Sequence, residues 1–310
     1  NISDDLYPRN FMLDLPKPHG YFGAEELFGR IDDTSEETVE GIDVIRHISD
    51  EDLSALQEFQ VPPVMEKAIL SFVLSGAART YRSSENFPAT MLVHISLRIN
   101  DQLQIRAAVD KKFTELRDEW RYDRNNGIRE KLRELWEEDF VPVTQQQHPD
   151  KMINFEKLES DISKFFESVQ IRTINSATGE VLDYETEPTL KAIAIGGNKL
   201  SRGLTLEGLL VSIFVRRTVM YDTLMQMGRW FGFRADYDDL TRIYTTPELA
   251  QWFSDLAQVE HRLREDIQVF EDQGLTPLQV GMRIKAHPTM QVTSRLKQRF
   301  ASSTTISQSY

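Results

Sequence analysis

Two nearly unbroken apolar runs of strand length, AIAI at 192–195 and LLVSIFV at 209–215, constrain the fold more than any other feature of the chain. Each ends where polar or glycine-rich sequence begins. A strand with one wet face alternates apolar and polar residues, whereas an unbroken run is dry on both faces, as in a parallel sheet covered by helices. ATMLVHISL at 89–97 is a third strand by its β-branched and apolar content, and residues 170–175 are a short fourth. Between them lie helical stretches. Residues 64–81 are apolar enough for a buried helix and follow Pro62 and Pro63, which suit a helix start. Ile105, Val109, Phe113, Leu116 and Trp120 recur at the spacing of one helix face. Residues 129–140 and 154–169 continue helically around the polar separator VPVTQQQHPD, and 177–188 read as a loop. Strands alternating with helices predict an α/β fold, a parallel sheet flanked by helices. Beyond it, Leu249, Trp252, Phe253, Leu256, Leu263, Ile267 and Phe270 mark a long amphipathic helix. The expected organisation is an N-terminal connector, acidic segment and helix over 1–87, the sheet domain over 88–246, and a helical extension with a basic tail over 247–310.

The chain has 310 residues, room for about two domains at roughly 100–200 residues each. It opens at Asn1 without an initiator methionine, the start expected of a piece of a longer protein. Zero cysteines exclude a disulfide framework, a thiol nucleophile and cysteine-based zinc sites. The six histidines are scattered, with His94, His148, His261 and His287 far apart and none at a metal-ligand spacing such as i and i+4, so no metal site is expected from local sequence. With neither a membrane-length apolar run nor the pattern of a signal peptide, the expectation is a soluble, cytoplasmic protein.

A net charge of −13 argues against a general nucleic-acid binder until its distribution is examined. Residues 31–60 hold ten acids against one base, Arg46, and read as a solvated insertion or short helix pair. Residues 191–234 hold seven bases and two acids, Glu207 and Asp222, and residues 273–310 five bases (Arg283, Lys285, Arg295, Lys297, Arg299) and no acid. One face of an acidic chain can thus engage a polyanion.

Within this basic region, GGNKLSRGLTLEGL at 196–209 and YDTLMQMGRWFGFR at 221–234 resemble motifs V and VI of superfamily-two helicases. They resemble more closely the Z-one domain, a helicase-derived module of bacterial restriction-associated proteins labelled endonucleases. RNFMLDLPKPHGYFGAEELFGR at 9–30 and ATMLVHIS at 89–96 are also similar to Z-one sequence, so the resemblance covers most of the chain. It implies a RecA-like C-terminal lobe of an ATP-dependent DNA helicase or translocase belonging to a restriction or defence system. Its partners would be DNA, a first RecA-like lobe and a nuclease subunit.

The resemblance also implies residue roles. Arg229 would be the arginine that reaches across a cleft to a γ-phosphate, where a planar, permanently charged guanidinium stabilises spreading negative charge. On the residues alone, a helix-end arginine paired with Asp222 or Asp236 is the plainer reading. Arg234 stands five residues on rather than the family's three, which leaves its role open. Arg202 and Gly203 match the family's Arg-Gly pair, Thr205 stands where many helicases have an aspartate on the ribose, and Gln226 contacts nucleotide or caps a loop. Asn198, Lys199 and Ser201 form a turn able to hold a nucleic-acid phosphate, with a plain tight turn as the alternative. Ser96, Asn175 and Ser176 end strands on the same edge and would line the nucleic-acid track. The aromatics Trp230, Phe231 and Phe233 are expected in the core.

The sequence has no Gly-x-x-x-x-Gly-Lys-Ser/Thr phosphate loop and no adjacent Asp-Glu box, so ATP with magnesium would be bound mainly by another lobe. Two alternatives stay open. A metal-dependent endonuclease would use Asp183, Glu185, Glu187 and Lys191, a loose cluster that reads more simply as a solvated loop. A non-catalytic RecA-like module would dock a nuclease partner through the long helix near Trp252 and Phe253.

Overall fold

A computed structural model of the chain describes residues 14–31, 38–83, 87–122, 127–201, 204–216, 218, 220–234 and 236–275. The backbone divides into two compact units: Leu15–Arg216 with Arg229–Gln258, and Asn1–Asp14 with Arg217–Gly228 and Val259–Tyr310.

The larger unit is built on six strands: β1 (Ile45–His47), β2 (Ala89–His94), β3 (Val169–Ile174), β4 (Lys191–Gly196), β5 (Leu209–Phe214) and β6 (Arg242–Thr245). They form one sheet in the order β1-β6-β5-β2-β4-β3, and every neighbouring pair is parallel. The strands β2 and β5 are buried at every position, as their unbroken apolar content requires. Because β4 and β5 flank β2, the chain crosses over β2 between them, and a strand-order reversal of this kind is where open α/β sheets hold ligands.

Residue alternation along the strands separates two cores. Met91 and Val93 of β2, Ile193 and Ile195 of β4, Ile213 of β5 and Tyr244 of β6 join one large apolar cluster. Helices α2 (Pro63–Ser83), α3 (Ile99–Tyr122), α4 (Gly127–Leu135) and α6 (Glu159–Ser168) supply much of the rest of it. The predicted stripe of α3 is buried at Ile105, Val109, Phe113 and Leu116. A second cluster is aromatic: Phe214 of β5 meets Trp230 at 5.2 Å and Phe253 at 6.3 Å, and Phe253 stacks on Phe28 at 4.7 Å. Of the aromatics expected in the core after Arg229, only Trp230 is buried. Phe231 is half-buried against Phe253, and Phe233 is 57% exposed, set against Tyr21 at 5.6 Å, because its two-residue strand pairs at the surface with residues 21–22.

The acidic segment departs from expectation. It contributes edge strand β1, which pairs with β6, and helix α1 (Asp50–Gln57), capped by Ser49, whose hydroxyl accepts from the Asp52 amide at 3.1 Å. The stretch read as a polar separator is also helical. A π-helical turn (Trp136–Phe140) leads into α5 (Val141–Gln147), with Pro142 tolerated in its first turn.

In the smaller unit, α7 (Tyr221–Met227) buries Tyr221, Leu224 and Met227. The long helix α8 (Pro247–Asp272) begins in the larger unit and continues into the smaller, where Arg264 pairs with Asp14 at 2.5 Å and Glu260 at 3.1 Å. Among the described residues no helix is long and apolar enough to cross a membrane. The basic tail with Arg283, Lys285, Arg295, Lys297 and Arg299 lies outside them.

Candidate functional site at the carboxyl edge of the sheet

Parallel strands end on one edge, so the residues that follow them are neighbours in space although scattered in sequence. Ser96 follows β2, Asn175 and Ser176 follow β3, Asn198 and Lys199 open the helical turn Asn198–Ser201 after β4, and Arg216 follows β5. Hydrogen bonds join these ends. The buried Asn175 carboxamide oxygen accepts from the amides of Ala177 and Thr178 at 2.8 and 2.9 Å, which closes the loop after β3. The Lys199 ammonium donates to the Asn175 carbonyl at 3.2 Å, and Arg216 donates to the Asn198 side chain at 2.9 Å. The Ser96 hydroxyl accepts from the Arg98 amide at 3.2 Å and donates to Asp101 at 2.6 Å. Ser176, Asn198 and Lys199 are exposed. An ammonium has three donors, so the bond to Asn175 leaves Lys199 able to offer two to an anion.

Besides Arg216, two buried groups at this edge escaped sequence reading. His94, the last residue of β2, is 1% exposed, meets Phe214 edge-on at 5.4 Å, and its Nε2 has no hydrogen-bond partner. Burial, with a smaller contribution from the nearby Arg216 charge, pushes its pKa down to about 3, so it is a neutral imidazole at physiological pH. Gln102 is 2% exposed in the first turn of α3. Its position one step ahead of Ile105 on the apolar stripe was the available signal, since a polar residue on a buried stripe must find hydrogen-bond partners there.

The residues assigned to nucleotide contact are less gathered. Arg229 is half-buried and its Nη2 donates to the Leu204 carbonyl in the loop between β4 and β5, while its Nε has no partner; burial lowers its pKa. Asp236, one candidate partner, binds Lys151 at 2.5 Å instead. Thr205 is exposed on that same loop. Arg234 donates to the carbonyls of Phe233 at 2.8 Å and Trp230 at 3.1 Å, closing its own turn. Gln226 is exposed on α7 in the smaller unit. Arg202 and Gly203 lie outside the described residues, as does the side chain of Ser201.

The acidic loop is occupied by local bonds. Asp183 accepts from the amides of Glu185 and Thr186, both at 3.1 Å, Glu187 pairs with Arg172 at 2.7 Å, and Lys191 sits 5.1 Å from the Phe165 ring centroid. The metal-like grouping among the described residues is elsewhere, at His148, Asp238 and Asp239. There Arg82 donates to both Asp239 oxygens at 2.8 and 2.7 Å, Thr144 donates at 2.5 Å, and His148 bonds Asp238 at 2.8 Å. A guanidinium already supplies the positive charge that a cation would bring. Trp252 and Phe253, the suggested docking residues, are buried at 8% and 0% exposure, so neither presents a docking face.

A parallel α/β sheet with polar, interlinked loops at its carboxyl edge belongs to the class of fold in which strand-end loops commonly make ligand sites. Within that class, the family model of the Z1 domain matches residues 64–292, and the chain belongs to that family. Comparison with curated proteins gave no match, and comparison with solved structures gave none.

Proposed function

We propose that this chain is the C-terminal, RecA-like lobe of an ATP-dependent DNA helicase or translocase, acting in a restriction or defence system. The observation that carries the reading is the meeting of Ser96, Asn175, Asn198, Lys199 and Arg216 at one sheet edge, from four strand ends. Hydroxyl, carboxamide, ammonium and guanidinium groups in exposed loops are the donors that sequence-independent phosphate contacts use.

In this reading Arg229 is the phosphate-reaching arginine. It is held ready on the loop between β4 and β5, and exchanges the Leu204 carbonyl for phosphoryl oxygens when a nucleotide-bearing first lobe closes. A phosphate offers the guanidinium an opposite charge and two acceptor oxygens at once, where the Leu204 carbonyl offers one neutral acceptor, so the exchange is favourable once phosphate is presented. The chain's own residues fit only the outer side of a triphosphate. Asp101, the carboxylate at the edge, is bonded to Ser96, and the sequence holds no phosphate loop. Magnesium and the β-phosphate then belong to the first lobe.

The test is a DNA-stimulated ATPase assay on this chain joined to a first lobe, with Arg229→Ala as the variant. Turnover is expected to fall by about 10³-fold or more, roughly 4 kcal/mol of barrier, with DNA affinity and unfolding midpoint nearly unchanged. Undiminished stimulated turnover would reject the assignment.

A further inference from the structure

The loops that end β2, β3 and β4 meet around one buried side chain. Gln102 Nε2 donates to the Ser96 carbonyl at 3.2 Å, and its Oε1 accepts from the Asn175 Nδ2 at 3.1 Å. The third loop closes over it at Gly197: a Cβ built there would stand 2.7 Å from Gln102 Nε2, 3.2 Å from Leu97 Cα and 3.3 Å from the Ser96 carbonyl oxygen. Asn175 in turn presents its carbonyl to the Lys199 ammonium at 3.2 Å. Four residues from four segments thus form a single chain of contacts, Ser96 to Gln102 to Asn175 to Lys199. A second tie on the same helix reinforces it, since Arg106 pairs with Glu180 at 2.9 Å and Glu180 accepts from the Thr173 amide at 2.5 Å.

A carboxamide suits this place because it is uncharged yet both donates and accepts. A carboxylate there would face the Ser96 carbonyl with no proton to give, and an apolar side chain would leave buried groups of Asn175 and Ser96 unpaired, each at a desolvation cost. The Asn175 carboxamide oxygen is already taken by the amides of Ala177 and Thr178, and the Ser96 hydroxyl by Asp101 and the Arg98 amide. Nothing else among the described contacts joins the carboxamide of Asn175 to helix α3.

We propose that Gln102 is a positioning residue: it locks the three strand-end loops into one phosphate-binding edge and, through Asn175, fixes where the Lys199 ammonium stands. The inference rests on the nucleic-acid reading of that edge for its functional consequence, but not for the lock itself.

Two measurements on the full chain separate these. In the first, amide hydrogen exchange compares wild type with Gln102→Leu. Loop amides around Ser96, Ala177 and residues 197–201 are expected to exchange at least about tenfold faster, while the amides of β2, β4 and β5 keep their protection. Unchanged loop exchange overturns the lock. Gln102→Glu is the second variant, should Gln102→Leu fail to fold. It retains size and the bond from Asn175 but loses the donor to Ser96, so the loop after β2 is expected to loosen more than the loop after β3.

In the second, binding of labelled oligothymidylate is followed against salt. Lys199→Ala is expected to cost about tenfold in affinity and to reduce the logarithmic salt slope by about 0.7, one phosphate contact on a single strand. Gln102→Leu should do the same, and the double variant should add little to either, because both remove one correctly placed ammonium. Additive losses, or a Gln102→Leu effect with the full salt slope, would overturn the positioning role and leave Gln102 a structural residue. If wild type does not bind oligothymidylate at all, the nucleic-acid reading of this edge fails, and the exchange result still decides the lock.

Discussion

His94 and Asp139 show how single buried groups set the acid limit of the fold. The Asp139 carboxylate accepts from Arg242 Nε at 2.7 Å and Arg46 Nε at 3.0 Å, and Arg242 is fully buried with its guanidinium 3.9 Å from the Phe140 ring centroid. Burial alone would raise the Asp139 pKa, but the bonds and charges of Arg46 and Arg242 hold it down to about 2. Its contribution is full above its ordinary value of 3.8 and is lost as pH falls through 2. His94 acts earlier. Its pKa of about 3 in the fold lies below the ordinary 6.5, so the unfolded chain binds the extra proton between those values and stability falls as pH drops through that window. Each pH unit within it costs up to about 1.4 kcal/mol. Urea unfolding of wild type is therefore expected to lose stability steadily from pH 6 to pH 4, while His94→Phe, which keeps a ring against Phe214, is expected to be much flatter over the same range. A variant with the wild-type slope would show that another group carries the acid sensitivity.

Helix α2 is packed closely enough that its glycine cannot be treated as a weak spot. Gly76 faces Phe165 of α6, and a Cβ placed on it would lie 1.9 Å from Cε2 of that ring, whose face is already fixed by Phe72 at 5.1 Å. Helix propensity favours Gly76→Ala by about 1 kcal/mol, whereas overpacking a closed core costs about 1–3 kcal/mol. Because the ring is 1% exposed and packed against Phe72 and Lys191, packing is expected to win, with a net loss of stability in urea melts and partial recovery when Phe165→Leu is added. A stabilised Gly76→Ala would mean that the two helices separate easily. The elements that were legible in the sequence are those whose pattern is local and long: the stripe of α3, the dry runs of β4 and β5, and the alternation of strands with helices. Those that were not are short and defined by distant partners. Strand β1 is three residues inside an acidic stretch and exists because β6 is free to pair on that side. The π turn at Trp136–Phe140 was hidden in a helical pattern, and it accompanies the burial of Trp136, Asp139 and Phe140 together.

At the scale of the molecule, the strand-end residues could be read from sequence because a run of apolar residues announces where it stops, and polar side chains beyond that point fall on one edge. The roles of Arg216 and His94 could not, because their partners at Asn198 and Phe214 are assembled only when the strands align, and Gln102 announced its burial on the α3 stripe but not its partner Asn175. The same assembly sets a charge conflict. The chain carries −13 overall, with exposed acids at Asp50, Glu51 and Glu58, yet offers ammonium and guanidinium groups at the sheet edge. Close phosphate contacts act within a few ångströms, whereas repulsion by the net charge acts over the Debye length, about 10 Å at 0.1 M salt and about 30 Å at 0.01 M. Lowering the salt should therefore strengthen the local contacts and the distant repulsion together. The logarithm of oligothymidylate affinity against the logarithm of salt is expected to flatten below about 0.1 M rather than continue as the straight line of a basic binder. Replacing Asp50, Glu51 and Glu58 by their amides should raise affinity at low salt and leave it unchanged at high salt, since only the long-range part is altered. Identical straight lines for both proteins, measured by fluorescence anisotropy, would show that the acidic front does not oppose binding at the edge.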